Sequence, residues 1–231
     1  MGPGPGRILL KLGGGLLAGA GGPLSPDTLS RLATEIVAAP TVELAIVVGG
    51  GNIVRGASAE WLDRVRADAL GMIATVINAL ALQACLEREG RDVVVQSAVT
   101  AEGTETIDIR RAGDALSRGA VVIFAGGTGN PLVTTDTAAA IRAASIGANL
   151  LAKGSDVGGV YTGDPASHPD ARRLQQIGYD DYLRERYRVM DQVAVEICRS
   201  HGIPITVFDA TQPGAITSVL RGDPIDATRI A

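Results

Sequence analysis

The chain has 231 residues, 46% of them hydrophobic and 20% charged, with a net charge of −4. That is an ordinary composition for a globular protein long enough to bury a large core. Aromatics make up only 3%, so the basic face and stacking aromatics of a nucleic-acid binder are not expected, whereas a local positive pocket for a small anion remains open.

The opening six residues, MGPGPG, read as a flexible lead without the basic-then-apolar layout of a signal peptide. No apolar run reaches the roughly 20 residues that span a bilayer, so the expected setting is cytoplasmic, with no membrane partner. Short β-rich runs then recur: RILLKL (Arg7–Leu12), ELAIVV (Glu43–Val48), DVVVQSA (92–98), AVVIFAG (120–126), NLLAK (149–153) and PITVFDA (204–210). Most are apolar on consecutive positions, the pattern of strands covered on both faces.

Helical patterns lie between them. Ser25 and Pro26 predict an N-cap and first helical position. A long pattern covers 62–89 and stops at Gly90, a third starts with Asp136 and stops at Gly147, and a fourth covers 188–201 and closes at Gly202. Strand and helix alternate throughout, which predicts an α/β fold: a mostly parallel sheet with helices on both faces. Residues 7–231 read as a single domain. Cys85 and Cys198 sit in helical patterns without CxxC spacing or a histidine cluster. They read as buried, reduced thiols, and no protein-built metal site is expected. His168 lies in a polar loop and His201 at a helix end, so neither is expected as a general base.

In such sheets ligands gather at the carboxyl ends of the strands. Glycine-rich stretches follow the first, second, fourth and fifth predicted strands: KLGGGLLAGAGG, GGGNIVRG, GGTGNPLVTTD and KGSDVGGVYTGDP. Four on one edge imply a polyphosphate or nucleotide site, because glycines let backbone amides approach phosphate oxygens. The sequence contains no GxxxxGK[ST], and no GxGxxG follows the first strand. The site is therefore neither a P-loop nor a dinucleotide-binding Rossmann unit.

RILLKL, VVGGGNIVRG, DRVRADALGMIATVINALAL, AGGTGNPLVTTDTAAAIRA, VGGVYTGDP, RVMD and GIPITVFDATQPGAI, in that order, resemble the amino-acid kinase family, most closely its bacterial-type UMP kinase branch. The likeness runs from Arg7 to about Ile230. It implies a three-layer α/β/α sandwich of the acetylglutamate-kinase type, a homo-oligomer (a hexamer), and transfer of the ATP γ-phosphoryl to UMP with Mg²⁺. GTP and UTP would be effectors, although the loop LLAGAGGPLSPD differs from the family's activator-linked segment.

The resemblance also assigns residues. Lys11 would carry the cation on the transferring phosphoryl, and Asp136 would complete the catalytic centre, as a helix cap, as a partner holding Lys11, or both. Gly50, Gly51 and Arg55 would hold the acceptor phosphate, the arginine by charge-assisted hydrogen bonds. Asp68 would face the acceptor, with Gly127, Thr128, Thr134 and Thr135 nearby. Gly13, Gly14, Ser155, Tyr161 and Asp164 would contact the donor. Lys153 and Asp191 are further candidates, the latter reading equally well as part of a helix start.

Three departures from the family pattern stand out. Gly13-Gly14-Gly15 replaces Ser-Gly-Glu, and in KGSDVGG (153–159) Asp156 replaces a lysine and Gly158 an aspartate; Ser155 stands for threonine and keeps the hydroxyl. A carboxylate facing the triphosphate would weaken donor binding, since one unit charge at about 4 Å is worth roughly 4 kcal/mol at an effective dielectric of 20 before screening. Two other readings stay open: another phosphotransferase activity of the family, making an acyl phosphate or phosphorylating a phosphonate, and a non-catalytic nucleotide-binding or storage protein on the same scaffold.

Overall fold

The consecutive apolar runs form strands whose two faces both meet helices. In the computed structural model, which describes residues 6–39, 42–54, 61–163, 167–168 and 170–231, one sheet has the order β4-β3-β5-β2-β1-β6-β8-β9-β7. Its central strands are β1 (Arg7–Leu12), β2 (Glu43–Val48), β3 (Val93–Ser97), β5 (Val121–Ala125), β6 (Leu150–Ser155) and β8 (Ile205–Asp209), the six runs predicted above. Short strands β4 (Glu105–Thr106), β7 (Gln176–Ile177) and β9 (Ala227–Ile230) extend it. All pairings are parallel except β8 with β9, so the loops after β1, β2, β5 and β6 open on one edge.

Side-chain alternation sorts the core into two layers. Ile8, Leu10 and Leu12 of β1 face α1 (Pro26–Val37), α2 (Arg64–Arg88) and α7 (Ala215–Arg221). Leu9 faces the other way, toward α3 (Ile109–Ser117), α4 (Thr135–Ile146), α5 (Tyr179–Arg184) and α6 (Gln192–His201). This is the expected three-layer sandwich. Ser25 caps α1 as predicted, accepting from the Thr28 amide at 3.3 Å, with Pro26 as the first helical residue. The elements absent from the sequence reading (α3, α5, α7, β4, β7 and β9) run two to nine residues, too short for a clear period.

Four expectations need correction. Helix α4 is capped by the Thr134 hydroxyl, which accepts from the Thr137 amide, and Asp136 lies inside the first turn. The last predicted helix starts only at Gln192, capped by Asp191, which leaves Arg188, Val189 and Met190 in a loop. Cys85 is half-buried, whereas Cys198 is fully buried. Finally, α2 at 25 residues is long and apolar enough, by length and composition, to cross a membrane. One face of it packs on the core, burying Ala67, Ala74, Val76, Ala79, Leu82 and Leu86 with the polar Asn78 among them, and the other face is exposed. The predicted lead, apart from Gly6, lies outside the described residues.

Some glycines serve packing rather than ligands. A Cβ on Gly14 would lie 2.7 Å from the Gly51 amide nitrogen and 2.9 Å from the Gly49 carbonyl oxygen, and one on Gly50 would lie 2.5 Å from the Gly71 carbonyl oxygen. The turns after β1 and β2 thus pack backbone to backbone, and the second packs on α2. Gly15, by contrast, has nothing within 4 Å of a built Cβ. Gly14→Ala is therefore expected to destabilise the fold by about 1–3 kcal/mol through overpacking, while Gly15→Ala changes it by less than about 0.5 kcal/mol; urea unfolding of the two variants measures the difference.

Candidate active site

The site starts with register. Lys11 of β1 and Lys153 of β6 are paired across neighbouring parallel strands, and alternation turns both toward the α4 layer. Two buried ammonium groups side by side would repel each other, and the first turn of α4 supplies the remedy. Asp136 sits between them, with Oδ1 2.7 Å from Lys11 Nζ and Oδ2 2.5 Å from Lys153 Nζ. All three are at most 9% exposed. Lys153 also donates to the Val189 carbonyl.

The electrostatics follow from that geometry. Burial would raise the Asp136 carboxyl, but Lys11 and Lys153 outweigh it and bring the pKa from 3.8 down to about 2. The helix N-terminus also favours the anion. Lys153 is lowered from the ordinary lysine value by burial and then by Lys11, against the pull of Asp136.

Around this triad the strand ends form two clefts. The larger, about 680 Å³, is lined by Lys11, Lys153, Ser155 and Arg188 together with the glycines after β1. It contains the donor candidates Gly13, Gly14 and Ser155, and the open Gly15. Asp156 and Val157 carry it into a third cavity, of about 790 Å³, where Tyr161 lies. The smaller cleft, about 240 Å³, contains Gly50, Gly51, Asp68, Gly127, Thr128, Thr134 and Thr135, all the acceptor candidates within the described residues. Arg55 and Asp164 lie outside the described residues. Gly50, Gly51 and Thr135 line both clefts, so one wall separates the two.

Several candidates are already engaged within the protein. Asp68 accepts from Arg64 Nε at 2.9 Å and from the Leu132 amide at 2.8 Å, tying α2 to the loop before α4. Asp191 accepts from the hydroxyls of Thr134 and Thr137 and from the Ala194 amide; its evident role is to join the starts of α4 and α6. Ser155 Oγ bonds within its own turn, to the Val157 carbonyl and amide. Neither His168 nor His201 lines either cleft.

Sequence reasoning missed the supports. Asn78, fully buried, donates to the Gly49 carbonyl at 2.6 Å and exchanges hydrogen bonds with Asn52, fixing the glycine turn after β2. A lone asparagine inside an apolar helical stretch was the available signal. Thr75 does the same for β5, its hydroxyl accepting from the Gly126 amide at 2.7 Å. Tyr182 bonds both the amide and the carbonyl of Met190, and burial pushes its hydroxyl up to about 12.

A model of the amino acid kinase family matches residues 6–209. The chain belongs to that family. Among proteins similar to this chain, the uridylate kinase of Methylococcus capsulatus is 48% identical over 225 residues, 95% of this chain and 94% of that protein. The uridylate kinase of Magnetococcus marinus is also 48% identical over 225 residues, covering 94% and 93%. The crystal structure of UMP kinase from Bacillus anthracis superposes with a TM-score of 0.92 at 35% identity, over 99% of this chain and 96% of that one. Family and relatives together make this protein a phosphotransferase.

The Asp136 triad sets an acid limit. A carboxyl held at about 2 in the fold and near 3.8 when unfolded contributes stability that is complete above about pH 4 and lost as pH falls through 2. Asp136→Asn, which strands two buried lysines, is expected to lower stability by about 3 kcal/mol or more at pH 7. Denaturant titrations should show that deficit narrowing between pH 4 and pH 2.

Proposed function

We propose that the protein transfers the γ-phosphoryl of ATP to UMP, giving ADP and UDP. The observation that carries this reading is the shared wall of Gly50, Gly51 and Thr135 between the two clefts, with Lys11 beside it. Phosphoryl transfer needs two anions brought end to end and their charge neutralised, and a backbone wall next to a lysine suits that task. An oxygen of the UMP phosphate attacks the γ-phosphorus, and the bond to the bridging oxygen breaks, leaving ADP. With a second phosphate pKa of about 6, the nucleophile is already a dianion at neutral pH, so a general base is not needed, consistent with clefts that no histidine lines.

Lys11 and Lys153 would hold charge on the transferring group, and Asp136 would keep the two lysines placed. The described residues contain no group of three His, Cys, Asp or Glu able to cage a metal ion. Asp136 is enclosed by lysines and Asp191 by threonines and a helix start. In this reading Mg²⁺ would arrive on the donor phosphates and supply positive charge there. The expected setting is the cytoplasm.

The reading also carries a homo-oligomer, as a hexamer. What supports an assembly is the outward face of α2, where Val65, Ile73 and Ile77 are 52%, 53% and 43% exposed. A helix as apolar as this one buries its outer stripe against something, and a second copy presents the same stripe. Ile73→Asp with Ile77→Asp is expected to reduce the particle mass measured by light scattering at least twofold.

ATP consumption with Mg²⁺ against UMP, CMP, dUMP, AMP and GMP tests the reaction, with GTP and UTP added in turn as effectors. UMP is expected to be the preferred acceptor, and Lys11→Ala to lower kcat by about a thousandfold, in line with losing a preorganised charge at the reacting group. Turnover with none of the five would overturn the assignment.

A further inference from the structure

The donor cleft has a charge problem that its lysines do not solve. Lys11 and Lys153 share the single anion Asp136. Arg31, also on the cleft, is held by Glu35 at 2.7 Å and by the Ala210 carbonyl. Asp156 adds a carboxylate to the lining. A triphosphate entering here meets little uncommitted positive charge.

Arg188 is the exception. It lines the same cleft, it is exposed, and among the described residues lining the cleft it is the cationic side chain with no ion pair or hydrogen bond to the protein. Its base is nevertheless fixed. The next residue, Val189, accepts from the Lys153 ammonium, and Met190 is held through both backbone groups by the buried Tyr182 hydroxyl. A free guanidinium on an anchored stem has little backbone order to lose on binding an anion.

We infer that Arg188 binds the triphosphate of the donor nucleotide and offsets the negative charge of Asp156 in the same cleft. This deepens the proposed kinase reading and rests on it for the identity of the donor. A guanidinium forms charge-assisted hydrogen bonds to phosphate oxygens wherever it reaches them, and the loop that carries Arg188 is tied directly to Lys153. The donor phosphates would then be enclosed by β1 glycines on one wall and by Arg188 on the other.

The test is calorimetric titration of the full chain with Mg²⁺-ATP and no acceptor, so that it reads Arg188 whether or not UMP is phosphorylated. Arg188→Ala is expected to weaken ATP binding about tenfold, the scale of one charge-assisted contact, with an unchanged unfolding midpoint in the absence of nucleotide. Arg188→Lys should retain most of the affinity. Asp156→Lys placed in the Arg188→Ala chain should restore it, because both changes act on one field. Arg184→Ala, which removes a nearby arginine that lines neither cleft, should leave binding unchanged. An Arg188→Ala affinity within twofold of the original overturns the inference, and so does a loss that Asp156→Lys leaves uncorrected. Failure of the kinase reading shows separately, as absent UMP-dependent turnover in the unaltered protein.

Discussion

Everything at the working edge of this molecule depends on one carboxylate shared by two lysines. Parallel register puts Lys11 beside Lys153, and neither could stay charged and buried without a counter-ion. Asp136 meets that need from α4, whose first turn is held by the Thr134 cap and, through Asp191, by α6. Sheet, α4 and α6 are thereby fixed to one another at the point where the two clefts meet. The arrangement leaves one net positive charge beneath the junction, a modest field that backbone amides can supplement.

The glycines divide by job. Gly14 and Gly50 have no room for a side chain, because other backbone passes within 3 Å of where a Cβ would sit. Gly13, Gly14 and Gly15 all line the larger cleft, and of the three Gly15 alone has nothing near a built Cβ. Gly14 sets the distance between the turns after β1 and β2, Gly50 sets that between the second turn and α2, and Gly15 faces open space. Asn78 and Thr75, both buried on α2, hold the turns after β2 and β5 through the Gly49 carbonyl and the Gly126 amide. The floor of the site is a set of backbone loops fastened to one helix.

The six central strands were legible because each is a short apolar run, four of them running directly into glycine, and β1 and β2 match their expected bounds residue for residue. The residues that line the smaller cleft were legible as a group, since GTGNPLVTTD returns on the same edge as the glycines after β2. What sequence hid was partnership. Nothing in the pattern around Asp136 tells that Lys153 is its second ion-pair partner, because that contact depends on the β1–β6 pairing, which joins residues far apart in the chain. Arg188 looked helical, since RVMDQVAVEICRS keeps a helical period through the residues that form the loop; only the Asp191 cap, satisfied by Ala194, marks where the helix begins.

The shared wall of Gly50, Gly51 and Thr135 also limits how such a site can diverge. If donor and acceptor meet there as proposed, Thr135 is the one side chain of that shared wall, and its exchange would disturb both clefts at once. On the proposed kinase reading, a different acceptor would be selected at the far end of the small cleft, where Met72, Val133, Arg64 and Asp68 form its lining, and a different donor beyond Asp156, around Tyr161. The junction leaves little to exchange, and the two outer ends are where the side chains open to exchange lie.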